Sequence, residues 1–194
     1  MNFLRNIYIW TLKKAEHKNA KWYLSLISFA ESSFFPIPPD ILLIPMALAS
    51  KTKALFYAFI CTLSSVLGGI FGYAIGYFFF NSIGLYIVEF YHLENSFSIF
   101  ENYYKEFGIL IVLGAGITPF PYKFITIASG VFGLNIYLFV IVSIIGRGLR
   151  FYLIAILLYF FAEKIKLLID KYFNILSITF FILLVGSVFI IRFL

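Results

Sequence analysis

Phe35-Pro36-Ile37-Pro38-Pro39-Asp40 interrupts an apolar stretch running from Trp22 to Ser50, and its reading decides the fold. Proline lacks a backbone N–H and clashes with the preceding turn, so no helix continues through this segment. The arms on either side, Trp22 to Phe35 and Asp40 to Ser50, have 14 and 11 residues. At 1.5 Å per residue they reach about 21 and 17 Å, short of a hydrocarbon core of about 30 Å. Each arm therefore goes in and comes back, which predicts a re-entrant helical hairpin over 22–50. Irregular backbone at membrane depth is tolerated only against protein or a wet cavity, so a cavity is implied.

Lipid as the solvent follows from composition. Of 194 residues, 62% are hydrophobic and only 12% charged, against roughly 25% charged in soluble domains. Ala54 to Phe80 and Tyr172 to Ile191 carry no charge, and each is near the ~20 residues that cross a bilayer. Neither run alternates apolar and polar positions as a barrel strand must, which leaves an all-α integral membrane protein. The lone Cys61 excludes an intrachain disulfide and a cysteine metal site, and no metal or cofactor is expected.

Outward from the first hairpin, residues 1–21 place Phe3, Leu4, Ile7 and Trp10 at helical spacing ahead of Lys13, Lys14, Lys18 and Lys21. This predicts an amphipathic interfacial helix. Arg5, Lys13 and Lys14 break what would have to be the apolar run of a cleavable signal. Residues 54–80 form a full span whose Gly68, Gly72 and Gly76 share one face, a helix-packing pattern. A polar connector over 81–106 carries Glu89, His92, Glu94, Glu101 and Glu106. Residues 107–134 are broken by Thr118-Pro119-Phe120-Pro121-Tyr122-Lys123, giving a second hairpin. Spans follow at 136–161 and, C-terminally, at 172–194.

These halves repeat. Pro36-Ile37-Pro38-Pro39-Asp40 aligns with Pro119-Phe120-Pro121-Tyr122-Lys123 at an offset of 83, and Gly68 with Gly146 at an offset of 78. One span separates the hairpins, so they enter from opposite sides. Pro36, Pro38, Pro119 and Pro121 shape tips that can meet near the midplane. The 22–161 region is thus an inverted repeat of hairpin plus span, a plan used by secondary transporters. Ten Lys and Arg flank one side, from Arg5 to Lys171, against Lys105 and Arg192 on the other. That asymmetry predicts a multi-pass inner-membrane protein with a cytoplasmic N-terminus and reads the +6 net charge as topology rather than nucleic-acid binding.

Five ionisable residues fall inside the apolar segments: Glu31, Asp40, Lys123, Arg147 and Arg150. Each costs roughly 2.5–3.5 kcal/mol at the helix centre if unpaired, so they must pair or meet water. Arg147 and Arg150 are three apart and share a helix face. Three cations against two carboxylates leave one positive charge over. A surplus cation, guanidinium forks and broken helix ends suit a phosphate. A carboxylate at that depth can also load and release a proton, which would couple transport to a gradient. The bland alternative is a salt-bridged core that joins two hairpins.

Taken together, Glu31 with Phe35-Pro36-Ile37-Pro38-Pro39-Asp40, Gly68-Gly69-xx-Gly72-Tyr73-xx-Gly76, Pro119-Phe120-Pro121-Tyr122-Lys123 with Ala128-Ser129-Gly130, and Gly146-Arg147-Gly148-Leu149-Arg150 resemble the DedA membrane protein family, of the SNARE-associated or VTT domain type, in its YqaA-like branch. The likeness covers about residues 22–161. It implies movement of lipids across the bilayer, polyprenyl phosphate and phospholipids included, in envelope homeostasis linked to the proton-motive force. It also implies that Glu31 and Asp40 are the acidic pair of the first hairpin. Better-studied members carry two arginines around the second-hairpin proline, where this chain has only Lys123, so Arg147 and Arg150 rest on burial physics alone.

Enzyme signatures are absent: there is no His-Glu-x-x-His, Gly-x-Ser-x-Gly or Gly-Lys-Ser/Thr motif, and His17 and His92 lie outside the spans. The expected function is therefore a non-enzymatic flippase-type transporter of anionic phospholipid or polyprenyl-phosphate head groups, its partners being those lipids and protons. The alternatives are a proton-coupled small-ion carrier and a structural membrane scaffold. Self-association into a homo-oligomer is left open.

Overall fold

The computed structural model describes residues 19–35, 37–80, 89–90 and 94–191, and is helical throughout with no strand among them. In chain order the helices are α1 (Ala20–Ser33), α2 (Asp40–Ala49), α3 (Ala54–Phe79), α4 (Glu94–Ile117), α5 (Tyr122–Val131) and α6 (Ile136–Ile191). A 3-10 turn, Lys51–Lys53, joins α2 to α3. The interfacial helix expected over 1–21 lies outside the described residues except at its last three positions, as does Pro36 of the first tip.

Both proline segments break the chain where the sequence places them. The first ends α1, with Phe34 N and Phe35 N both donating to Ala30 O at 2.9 and 2.8 Å, and α2 restarts at Asp40. The second lies between α4 and α5. Where α5 ends, Gly133 takes φ +63°, the left-handed turn that glycine adopts without a Cβ penalty. Asn135 Oδ1 then accepts from Tyr137 N at 3.0 Å and Leu138 N at 3.2 Å, an N-cap that starts α6.

Two boundaries differ from the sequence reading. The connector expected over 81–106 is helical from Glu94 onward, so the first arm of the second hairpin is α4 and not 107–117 alone. The separate C-terminal span expected at 172–194 is continuous with the 136–161 span in α6. Charge divides both stretches by hydropathy, but residues 94–106 and 162–171 contain no proline or glycine, and charged side chains such as Glu and Lys are good helix formers.

Two helical stretches, Lys51–Phe79 and Ile136–Ile165, are long and apolar enough to cross a bilayer. Polarity within the described residues is inverted relative to a soluble protein. Phe59, Leu63, Leu67 and Phe71, spaced four apart on α3, are each about half exposed, while Ser28, Ser32, Ser33, Ser65, Thr126, Ser129 and Ser143 are buried. Outward stripes of this kind have no favourable partner in water. Small and hydroxyl residues facing inward are the pattern of helices packed in lipid, where close approach and interhelical hydrogen bonds replace the hydrophobic effect.

Helix α3 is the axis of the packing. On it lies α1, tied by Ser28 Oγ to Cys61 O at 2.8 Å, Ser33 Oγ to Gly68 O at 2.9 Å and a shared Ser32–Ser65 hydroxyl bond at 2.6 Å. Against it also lies α5, whose Thr126 Oγ1 donates across to Ser32 O of α1 at 2.9 Å. A Cβ at Gly68 would overlap the backbone of Phe29, one at Gly76 the backbone of Ile127, and one at Gly130 the backbone of Tyr73. Gly72 meets Thr126 and Ser32. α2 joins α3 and α6 in an apolar cluster of Leu43, Met46, Ala47, Ala58, Cys61, Phe151 and Ala155, and α4 meets α6 at Gly116 and Gly146.

Gly76→Val is expected to separate α3 from α5 and destabilise the protein by about 1–3 kcal/mol or more, because the clash is with backbone. Gly114→Ala, where a Cβ meets nothing within 4 Å, serves as the neutral control in the same detergent unfolding measurement.

Candidate functional site

The two broken tips come together. Phe35, Pro38 and Pro39 from the first and Pro119, Phe120, Pro121 and Lys123 from the second line one pocket of about 30 Å³, with Glu31, Arg147 and Arg150 completing its wall. A pocket of that size admits a water molecule or two and no more.

Each carboxylate of the first hairpin meets one arginine of α6. Arg147 Nη2 donates to Glu31 Oε2 at 2.6 Å, and both side chains are over nine-tenths buried. The same guanidinium has further partners: Nε donates to Ser65 Oγ at 2.6 Å, and the rings of Tyr122 and Phe151 lie 4.9 and 4.7 Å from its centre. Ser32 Oγ donates to the same Glu31 oxygen at 3.1 Å. A desolvated guanidinium stacked between rings is strongly fixed, since both the ion pair and the ring quadrupoles gain from low dielectric.

Arg150 spans the two tips. Its Nη2 donates to Asp40 Oδ2, at the start of α2, and its Nη1 to the carbonyl of Thr118, just before Pro119. The planar fork makes this bridge, because two donors leave one charge centre in fixed directions. Asp40 Oδ1 is buried without a hydrogen-bond partner.

Lys123 is the surplus cation. It takes part in no ion pair among the described residues, and its Nζ lies 5.4 Å from the ring of Phe124. It stands in the first turn of α5, where the helix macrodipole adds positive potential instead of offsetting it.

All five candidate ionisable residues are thus gathered at the tips, four as two pairs and one without a carboxylate. Pro38, Pro119 and Pro121 line the pocket, whereas Gly68, Gly72 and Gly76 serve helix contacts away from it. Sequence reading passed over Ser32, Ser65, Tyr122 and the Thr118 carbonyl. Ser65 did carry a signal: it precedes Gly68 by three residues and so shares the face turned toward α1. No cluster of three or more metal-ligating side chains occurs among the described residues.

An uncharacterized protein of Haemophilus influenzae is 34% identical over 192 residues, covering 99% of this chain and 100% of the relative. An uncharacterized protein of Histophilus somni is 35% identical over 158 residues, or 80% of this chain and 81% of its own. No family model matches the chain, and no solved structure matches it.

Proposed function

This chain belongs to the family of the Haemophilus influenzae and Histophilus somni proteins, and for it we propose a flippase-type function of the DedA kind: moving anionic phospholipid or polyprenyl-phosphate head groups across the inner membrane, coupled to protons. In this reading the N-terminus is cytoplasmic, the hairpins are re-entrant from opposite leaflets, and the paired tips close the route at mid-membrane. One observation carries it: Lys123, a cation without a carboxylate among the described residues, stands beside two arginines and two helix starts in a cleft between broken helices. A phosphate is the anion that such a set recognises, through the fork of Arg150 and the backbone N–H groups of a helix start. The closed pocket is too small for a phosphate ester, so loading requires the tips to part. Asp40 and Glu31 then give up their arginines to the lipid and regain them after release, with proton uptake by the freed carboxylates as the coupling step.

A second reading is favoured by the completeness of both ion pairs: the charges clamp the hairpins and carry nothing. Lys123 separates the two, because its charge enters no ion pair among the described residues. In vesicles with labelled polyprenyl phosphate or phosphatidylglycerol, Lys123→Gln is expected to slow head-group movement at least tenfold with unchanged thermal unfolding, and Lys123→Arg to restore it. Unchanged movement in Lys123→Gln would favour the clamp. Ion flux without lipid movement would favour a proton-coupled small-ion carrier.

A further inference from the structure

A second cavity lies away from the tips, beside charged residues that border two apolar stretches. It is lined by Lys51 of the 3-10 turn and by Tyr159, Phe160, Phe161, Glu163 and Lys164 of α6, and measures about 260 Å³. The volume approaches the lower end of small-ligand sites, about 300 Å³.

Its level in the membrane follows from the same two stretches. Lys51 and Lys53 precede the charge-free residues 54–80, and Glu163, Lys164 and Lys166 follow the charge-free residues 151–162, so the cavity sits where hydrocarbon gives way to head groups. Aromatic residues gather at that boundary, and lysines extend toward phosphates there. Phe160 is 70% exposed. One and two turns deeper on α6, Leu157 and Leu153 are also about half exposed, as is Phe56 of α3, leaving apolar surface below the lysines.

Among the described lining residues, the charges are two cations and one carboxylate. Lys51 Nζ lies 4.0 Å from Glu163 Oε1, with the lysine side chain 58% and the glutamate 92% exposed, a pair too loose and too wet to hold either group. Lys53, exposed on the same turn, adds a further positive charge nearby.

We propose that this cavity binds the phosphodiester head group of an anionic phospholipid resident at that end of the spans, Lys51 and Lys164 contacting the phosphate and the acyl chains lying along that apolar surface. The site is separate from the tip pocket and stands or falls independently of transport.

The experiment uses the full chain in phosphatidylcholine nanodiscs titrated with phosphatidylglycerol, with retained lipid counted by native mass spectrometry. Each lysine near an anionic lipid surface contributes about fivefold to affinity. The double variant Lys51→Gln with Lys164→Gln is therefore expected to lose about 25-fold, and Glu163→Gln to gain about fivefold, an increase that a folding defect would not produce. Lys105→Gln, whose lysine pairs with Glu101, is expected to change nothing. Equal retention in the double variant, or weaker retention in Glu163→Gln, overturns the proposal. Competition by inorganic phosphate with an affinity equal to that of the lipid would mark a free-anion site and overturn it as well.

Discussion

Glu31→Ala is expected to lower the unfolding free energy by about 3–5 kcal/mol, since it strands the Arg147 guanidinium in the interior without a counter-charge. Arg147 is 1% exposed. It cannot turn to water, because Tyr122 and Phe151 hold its faces and Ser65 its Nε. Glu31→Gln retains an acceptor for Nη2 and should cost less. The revealing variant is the double replacement Glu31→Leu with Arg147→Met. Removing both partners of a buried pair in favour of apolar groups is often neutral, so most of the lost stability should return. Unfolding in mixed micelles measures all three. A loss below about 1 kcal/mol for Glu31→Ala would mean that Arg147 finds another anion and that the pair does not anchor α1 to α6.

Arg150 governs the coupling between the tips, and its removal is expected to let them part. Its two donors reach Asp40 on one hairpin and the Thr118 carbonyl on the other. Spin labels at Phe35→Cys and Phe120→Cys place one probe on each tip beside the pocket, and the native Cys61 is buried away from labelling reagent. Arg150→Ala should convert a narrow distance distribution between them into a broad one, and Arg150→Lys should fall between, because an ammonium lacks the fork that serves two directions at once. Both side chains of the Asp40–Arg150 pair keep a little exposure, so the stability cost is smaller than at Glu31, about 2 kcal/mol. An unchanged distribution in Arg150→Ala would show that packing alone holds the tips together.

The surplus charge was countable before any geometry, because net charge is additive along a chain: three cations and two carboxylates in apolar surroundings leave one cation over. Which cation that is could not be counted. Glu31 pairs with Arg147 across 116 residues and Asp40 with Arg150 across 110, and no local rule reaches such separations. Ser65 is a related case: its spacing from Gly68 shows which face it occupies, but not what it binds there. A hydroxyl inside an apolar run is a neutral feature until a guanidinium is placed beside it. The boundaries at Glu94 and across residues 162–171 were missed for a different reason: hydropathy divides water from lipid, whereas the backbone asks only whether a residue can be helical.

By itself the sequence determined where the backbone must break, which stretches are apolar enough to span and which faces carry small residues. Proline geometry, helix rise and side-chain volume are local properties that hold in any fold. Tertiary structure alone decided that the two breaks face each other, that α1 and α5 both seat on the glycine face of α3, and that each arginine chooses a different carboxylate. Those outcomes arise from packing between distant segments, where the burial of one charge is affordable only if its partner arrives from elsewhere in the chain.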